Sequence, residues 1–354
     1  MLPELCLALI IAGLTAYALL GGADFGAGFW DLTAGGASRG GRVRGMVQRS
    51  MTPVWEANHV WLIFVLVIFW TAFPVAFGSV MSTLYVPLLI AVAGIIFRGT
   101  AFALRGEAAT INEARFLGAL FALSSVLVPF CLGACLGAIA SGRVPVGNAA
   151  GDAFASWLNP TAITTGVLAV LTGAYLAAVY MAVDSARGDL EDMRRAFRAR
   201  ALIAGIAAGG VAIGALIVLR SDARELYDGL TSGGGLVCVI VSAVAGFCTL
   251  GLIWRHSFVA ARAAAVVAVA AITIGWAFAQ SPDLLPGELT LEGAAAPDAT
   301  LVALLVSVAV GLVVLIPSLY WLYSLTLSGR LDQGYEPLDQ RYRPLDAGSD
   351  EVSG

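Results

Sequence analysis

Polar residues set inside apolar runs are the candidates for chemistry in this chain. Residues 53–64 read PVWEANHVWLIF, and they place Trp55, Glu56, Asn58, His59 and Trp61 at the head of a long apolar stretch. Residues 21–32, GGADFGAGFWDL, hold Asp24 in the last third of another stretch, with Asp31 seven residues on. Residues 95–105, IIFRGTAFALR, hold Arg98. A charge at the centre of a bilayer costs about 2.5–3.5 kcal/mol on insertion scales, so each of these needs a partner or a function. Carboxyl groups and an imidazole can pass protons once their surroundings bring the two forms close in energy. Arg98 cannot, and calls for an anionic partner, either Asp24 or Glu56.

Helical spacing sharpens the grouping. At about 100° per residue, Glu56 and His59 lie within roughly 60° of each other, and Trp55 shares their side of the helix with Asn58 and His59. His59 reads as a hydrogen-bonding support for Glu56 rather than a ligand. Asp31 reads as an interfacial anchor, and Arg105 as a residue that snorkels to the surface. Gly22 and Gly26 make a small-xxx-small pair beside Asp24, the kind of surface on which helices approach closely.

The elements that carry these residues follow from composition. The 354 residues are 59% hydrophobic and only 12% charged, against about 45–50% and about 25% in soluble domains. That balance predicts an all-α polytopic membrane protein and argues against a nucleic-acid binder. Nine spans are expected, near 5–31, 54–77, 80–104, 115–140, 159–183, 199–219, 234–255, 258–280 and 300–325. They suit two four-helix bundles plus one extra helix. The first apolar run lacks the basic start and short core of a cleaved signal peptide. Residues 1–325 form the expected membrane domain, and the polar residues 326–354 a mobile cytoplasmic tail.

Arginine placement orients the bundle. With the N-terminus outside, the loop 35–53 faces the cytoplasm with Arg39, Arg42, Arg44 and Arg49. So does the segment with Arg187, Arg194, Arg195, Arg198 and Arg200, whereas only Arg143, Arg220 and Arg224 fall outside. The positive-inside rule therefore favours N-out and C-in. On a rise of about 1.5 Å per residue, Asp24 and Arg98 then lie about 10 Å from the inner ends of their helices, and Glu56 within about 5 Å. All three occupy the cytoplasmic half on consecutive helices, as a short polar line leading inward.

Cofactor signals are sparse. The five cysteines, Cys6, Cys131, Cys135, Cys238 and Cys248, sit in apolar stretches and form no CxxC pair. His59 and His256 are the two histidines, and no CxxCH, Walker or GxGxxG context accompanies them. No tightly bound redox centre or metal is expected in this chain. A stand-alone proton-coupled transporter using Asp24, Glu56 and Arg98 remains an alternative, as does a purely structural membrane partner.

The blocks GGADFGAGFWDL, PVWEANHVWLIF, GWAFAQSPDLLP (275–286) and AAAPDATLVALLVSVAVGLVVLIPSLYWLY resemble, in the same order, those of subunit II of cytochrome bd-type quinol oxidases. The similarity runs from residue 1 to about 325. It implies a bacterial cell-membrane complex that oxidises quinol and reduces dioxygen to water. The haems b and d and the quinol site would belong to a larger partner, subunit I, and small single-helix subunits, lipid and quinone would be further neighbours. The resemblance also implies that Glu56 and Asp24 belong to a proton pathway, with Trp55, Asn58, His59, Trp61 and Arg98 as its supporting polar network. Some members carry a further acid and an aromatic in the first block. Here Gly21 and Ala23 stand there, so the first helix offers Asp24 alone.

Overall fold

A computed structural model describes residues 1–35, 37–51, 55–104, 108, 110–188 and 190–327. In chain order the elements are α1 (Leu2–Leu32), α2 (Ala37–Met51), α3 (Trp55–Ala72), α4 (Pro74–Thr83), α5 (Tyr85–Leu104), α6 (Ile111–Ala140) and α7 (Pro160–Arg187). There follow α8 (Glu191–Asp222), α9 (Arg224–Leu230), α10 (Gly233–Trp254), α11 (Phe258–Gln280), β1 (Asp283–Leu285), β2 (Leu289–Thr290), α12 (Leu291–Ala294) and α13 (Asp298–Leu327). Among the described residues, eight helices are long and apolar enough to cross a membrane: α1, α5, α6, α7, α8, α10, α11 and α13. The stretch Ala57–Ala72 of α3 is a shorter apolar helix. Helices suit an apolar solvent because each satisfies its own backbone hydrogen bonds.

Local sequence explains the starts and stops. The side chain of Thr110 accepts from the Glu113 N–H at the head of α6, and Asn159 accepts from the Ala162 N–H at the head of α7. α10 ends on a Schellman motif, in which Ser257 N–H reaches Leu252 O at 2.8 Å and His256 N–H reaches Ile253 O at 3.1 Å. His256 takes the left-handed position that glycine usually fills, with φ 61°.

Two expectations need correction, and one connection gains structure of its own. The expected spans 54–77 and 80–104 are divided differently, because Pro74 disfavours a helical conformation at the residue before it. Phe73 accordingly has φ −135° and ψ 60°, and α4 is a helix of its own between α3 and α5. The arginine-rich loop 35–53 contains the helix α2, whose Val43, Met46 and Val47 are buried at helical spacing. The loop 281–299 holds an antiparallel pair, with Asp283 opposite Thr290, followed by α12. Arg105, the side chain of Arg187 and the tail from 328 on lie outside the described residues.

Two groups of four emerge from the packing. α1, α3, α5 and α6 pack together, as do α7, α8, α10 and α11, and α1 and α6 meet α7 along the seam. α13 lies apart, beside α3 and α1. One apolar core includes Trp30, Phe121, Phe197 and Phe258 and is shared across the seam. A second includes Cys6, Ile68, Phe73, Leu285 and Leu301 and lies toward the start of α1. Large apolar side chains on α8, such as Ile203, Ile206, Ile213 and Ile217, point outward, as expected of a surface solvated by lipid.

Candidate functional site: a buried polar cluster at the helix seam

Glycines open the space in which the polar residues meet. A Cβ on Gly26 of α1 would stand 1.9 Å from the carbonyl oxygen of Gly173 on α7, so the two backbones touch there. A Cβ on Gly28 would stand 2.1 Å from Ser125 Oγ on α6. A Cβ on Gly94 of α5 would lie 2.6 Å from Val128 Cγ2, also on α6. Side-chain-free positions thus bring α1, α5 and α6 close enough to share one buried arginine. Gly22, the other member of the expected pair, has open space where its Cβ would be.

Arg98 is that residue, at 1% exposure. Its Nε donates to Ser125 Oγ at 3.0 Å, and its Nη2 donates to the main-chain oxygen of Asp24 at 3.0 Å. Nη1 stands 3.6 Å from Asp24 Oδ2, and both side chains are nearly inaccessible to solvent. The guanidinium is flanked by the rings of Phe25 and Phe121, with centroids at 4.8 and 5.0 Å. Ring faces attract a cation and are well suited to a planar guanidinium. Asp24 Oδ2 is buried and makes no hydrogen bond among the described residues.

α3 supplies the second wall. Asn58 is buried. Its Nδ2 donates to Leu20 O on α1 at 3.4 Å, and its Oδ1 accepts from the Tyr323 hydroxyl of α13 at 3.0 Å. His59 Nδ1 lies 3.5 Å from the Tyr17 hydroxyl, and its ring packs edge-on against Phe25. Trp61 packs against Phe64, and its buried Nε1 has no partner among the described residues. Trp55 and Glu56 open α3, but their side chains lie outside the described residues.

Of the residues singled out from sequence, Asp24, Asn58 and Arg98 share one cluster, with His59 beside it across Phe25. His59 turns to Tyr17, so its described partner is that hydroxyl. Asp31 is more than an interfacial anchor. Only 4% exposed, it accepts from Arg44 Nε of α2 at 2.9 Å and so fastens that helix to α1. Sequence reasoning missed Ser125, Phe25, Phe121 and Tyr323, which come from remote elements or read as ordinary core. The one available signal was the pair Ser124–Ser125 within an apolar helix. The two histidines serve separate places: His59 faces the α1–α3 interior, and His256 lies on the exposed α10–α11 turn. Among the described residues, no group of three or more His, Cys, Asp or Glu is placed to hold a metal ion.

Comparison with known proteins gives consistent matches. The sequence model of the family described as Cytochrome bd terminal oxidase subunit II matches residues 2–326. The putative cytochrome bd menaquinol oxidase subunit II of Bacillus subtilis (strain 168) is 21% identical over 325 residues, spanning 87% of this chain and 91% of that protein. The cytochrome bd-I ubiquinol oxidase subunit 2 of Escherichia coli (strain K12) is 27% identical over 172 residues, 44% of this chain and 42% of that one. Among solved structures, a chain of the bd oxidase from Geobacillus thermodenitrificans superposes with a TM-score of 0.77 at 26% identity, covering 92% of this chain and 99% of its own.

Proposed function

The chain belongs to the cytochrome bd terminal oxidase subunit II family, and from that premise we propose that it supports a haem-bearing subunit I and helps carry protons to it from the cytoplasm. As a member of that family it is a subunit of a quinol oxidase complex and a multi-pass protein of the bacterial cell membrane. In this reading Glu56 receives the proton at the inner face, and Asp24 passes it on toward subunit I, where the haems and the dioxygen chemistry reside.

The observation that carries the reading is the buried Asp24 carboxyl standing 3.6 Å from Arg98. Both forms of the group are supported there, the anion by the guanidinium and the neutral acid by the apolar walls. A carboxyl so balanced can take up and release a proton. Arg98 is held by Ser125 and by the Asp24 main chain as well, so it stays in position while the carboxyl changes state.

The same ion pair supports a purely structural role, and one experiment separates the two. In the purified complex, Asp24→Asn and Glu56→Gln should each lower quinol-driven oxygen consumption by about tenfold or more, on the scale of lost proton transfer. Haem content should be unchanged. Normal turnover in both variants overturns the proton role, whereas haem lost in step with activity assigns the pair to assembly alone.

A further inference from the structure

We propose that the turn between α10 and α11 binds the phosphate headgroup of an anionic phospholipid of the inner leaflet. Three arginines gather at this turn, on the side that arginine placement assigns to the cytoplasm. Arg198 of α8 donates from Nε to Ile253 O at 3.2 Å and from Nη2 to Trp254 O at 3.0 Å, and its guanidinium lies 5.2 Å from the centre of the Trp254 ring. A guanidinium has five N–H donors, so this one keeps donors to spare after fastening the end of α10. Arg255 comes next in the chain and is exposed. Arg262 stands on α11, one helical turn beyond Phe258, with its guanidinium 4.4 Å from the centre of the Tyr180 ring on α7.

A cleft of about 370 Å³ opens at this turn, walled by Val183 and Ala186 of α7 and by His256, Ser257, Phe258 and Val259. Tyr180 lies about one turn deeper than Val183 on α7, and Arg262 one turn deeper than Phe258 on α11, so that pair stands below the walls of the cleft. Other arginines at the same end of the bundle pair with acids: Arg42 with Asp192, Arg44 with Asp31, and Arg194 and Arg195 with Glu191. Among the described residues, no carboxylate pairs with Arg198, Arg255 or Arg262; their contacts are main-chain carbonyls and rings. Asp184, next to Val183 on α7, accepts from Ser50 of α2 instead. A basic pocket between helices at the cytoplasmic face suits a phosphate-bearing headgroup, because the leaflet there is anionic and a guanidinium fork matches phosphate oxygens.

The surroundings favour a lipid over a soluble anion. Trp254 is exposed, and Phe247 and Ile240 precede it on α10 at seven-residue steps, exposed as well. Residues seven apart share a helix face, so the three form one apolar track leading from the arginines toward the middle of the membrane. Val259 is exposed at the start of α11. An acyl chain laid on this track keeps its phosphate beside Arg198 and Arg255. The Trp254 ring then lies at the level of the headgroups, where indoles concentrate.

The test uses the intact complex in neutral detergent and photoactivatable analogues of phosphatidylglycerol and phosphatidylcholine. The anionic analogue should label residues 254–262 at lower concentration than the zwitterionic one. Arg255→Gln and Arg262→Gln should each raise the concentration for half-labelling about fivefold, on the scale of one basic residue at an anionic leaflet. Arg220→Gln, at the far end of α8, should leave it unmoved. Inorganic phosphate, with ionic strength matched by chloride, should leave the labelling in place. Equal labelling by the two lipids, labelling of the Arg255 and Arg262 variants at the wild-type concentration, or displacement by phosphate overturns the proposal. Arg255 is exposed, so Arg255→Gln alone carries the test should Arg262→Gln fail to assemble.

Discussion

Arg98 of α5 holds Asp24 of α1 twice, by a 3.0 Å bond to its main-chain oxygen and by a 3.6 Å approach to its carboxylate. The first contact ties down the backbone of α1, and the second balances the charge. Removing one partner of a buried pair strands the other and typically costs about 3–5 kcal/mol. Arg98→Ala should therefore lower the thermal midpoint of the complex and its yield of assembled haem. Arg98→Lys should rescue little, because a point charge cannot reach Ser125 and both Asp24 oxygens as a planar fork does. A fully assembled Arg98→Ala complex of unchanged midpoint would contradict this.

The glycines beside Asp24 should differ sharply. Gly26→Ala would drive a methyl group into the Gly173 carbonyl. That carbonyl is backbone, so α1 must move off α7 at a cost of about 1–3 kcal/mol or more. Gly22→Ala meets open space and should be neutral or gain up to about 1 kcal/mol of helix propensity. Thermal unfolding of both variants in detergent checks the contrast, and equal midpoints would count against it.

At the opposite end of the bundle from Asp31, Asp222 closes α8 onto the head of α7. It accepts from Arg143 at 3.1 and 2.5 Å, from Thr161 N at 3.0 Å and from Thr161 Oγ1 at 2.6 Å. Asp222→Asn weakens charge-assisted bonds worth about 1.5–3 kcal/mol each to stability. A lowered thermal midpoint is expected. The loss should shrink at high salt, since a third of the Arg143 side chain is exposed. A salt-independent loss would point to packing instead.

Asp152 offers a pH-dependent turn. Its carboxylate accepts from the Phe154 and Ala155 N–H groups at 2.8 and 2.7 Å, first and foremost that of Ala155, and these bonds hold its pKa below the usual carboxylate value. A depressed folded value means that the stabilisation is present above the unfolded pKa and fades as pH falls through the folded one. Hydrogen-exchange protection of Phe154 and Ala155 should therefore drop as the solution is acidified through that range. Asp152→Asn should show no such step; a step that survives the substitution would assign it to another group.

Much of the framework was legible because hydropathy reports what lipid demands. The expected spans 258–280 and 300–325 match α11 and α13 closely. Hydropathy does not register backbone chemistry, and so it ran through Pro74, where the missing N–H and the constraint on Phe73 divide the helices. It also passed over α2, whose arginines outweigh Val43, Met46 and Val47 in any average although their spacing is helical. At the site, the cost of burying Arg98 required an anion, and Asp24 stands within ion-pair range, while the Glu56 side chain lies outside the described residues. Ser125 and Tyr323 were out of reach, because they meet the cluster only through tertiary packing, from 27 residues beyond Arg98 and 265 beyond Asn58.

The contact between Gly26 and Gly173 also bears on how this protein could move anything across a membrane. Main chain presses on main chain there, with no rotamer that could yield. Tilting one four-helix group over the other would have to break that fulcrum and the core that spans it. A carrier that works by rocking would be poorly served by such a joint. A wire, in which charge hops between stationary groups, asks for the stiffness that the joint provides.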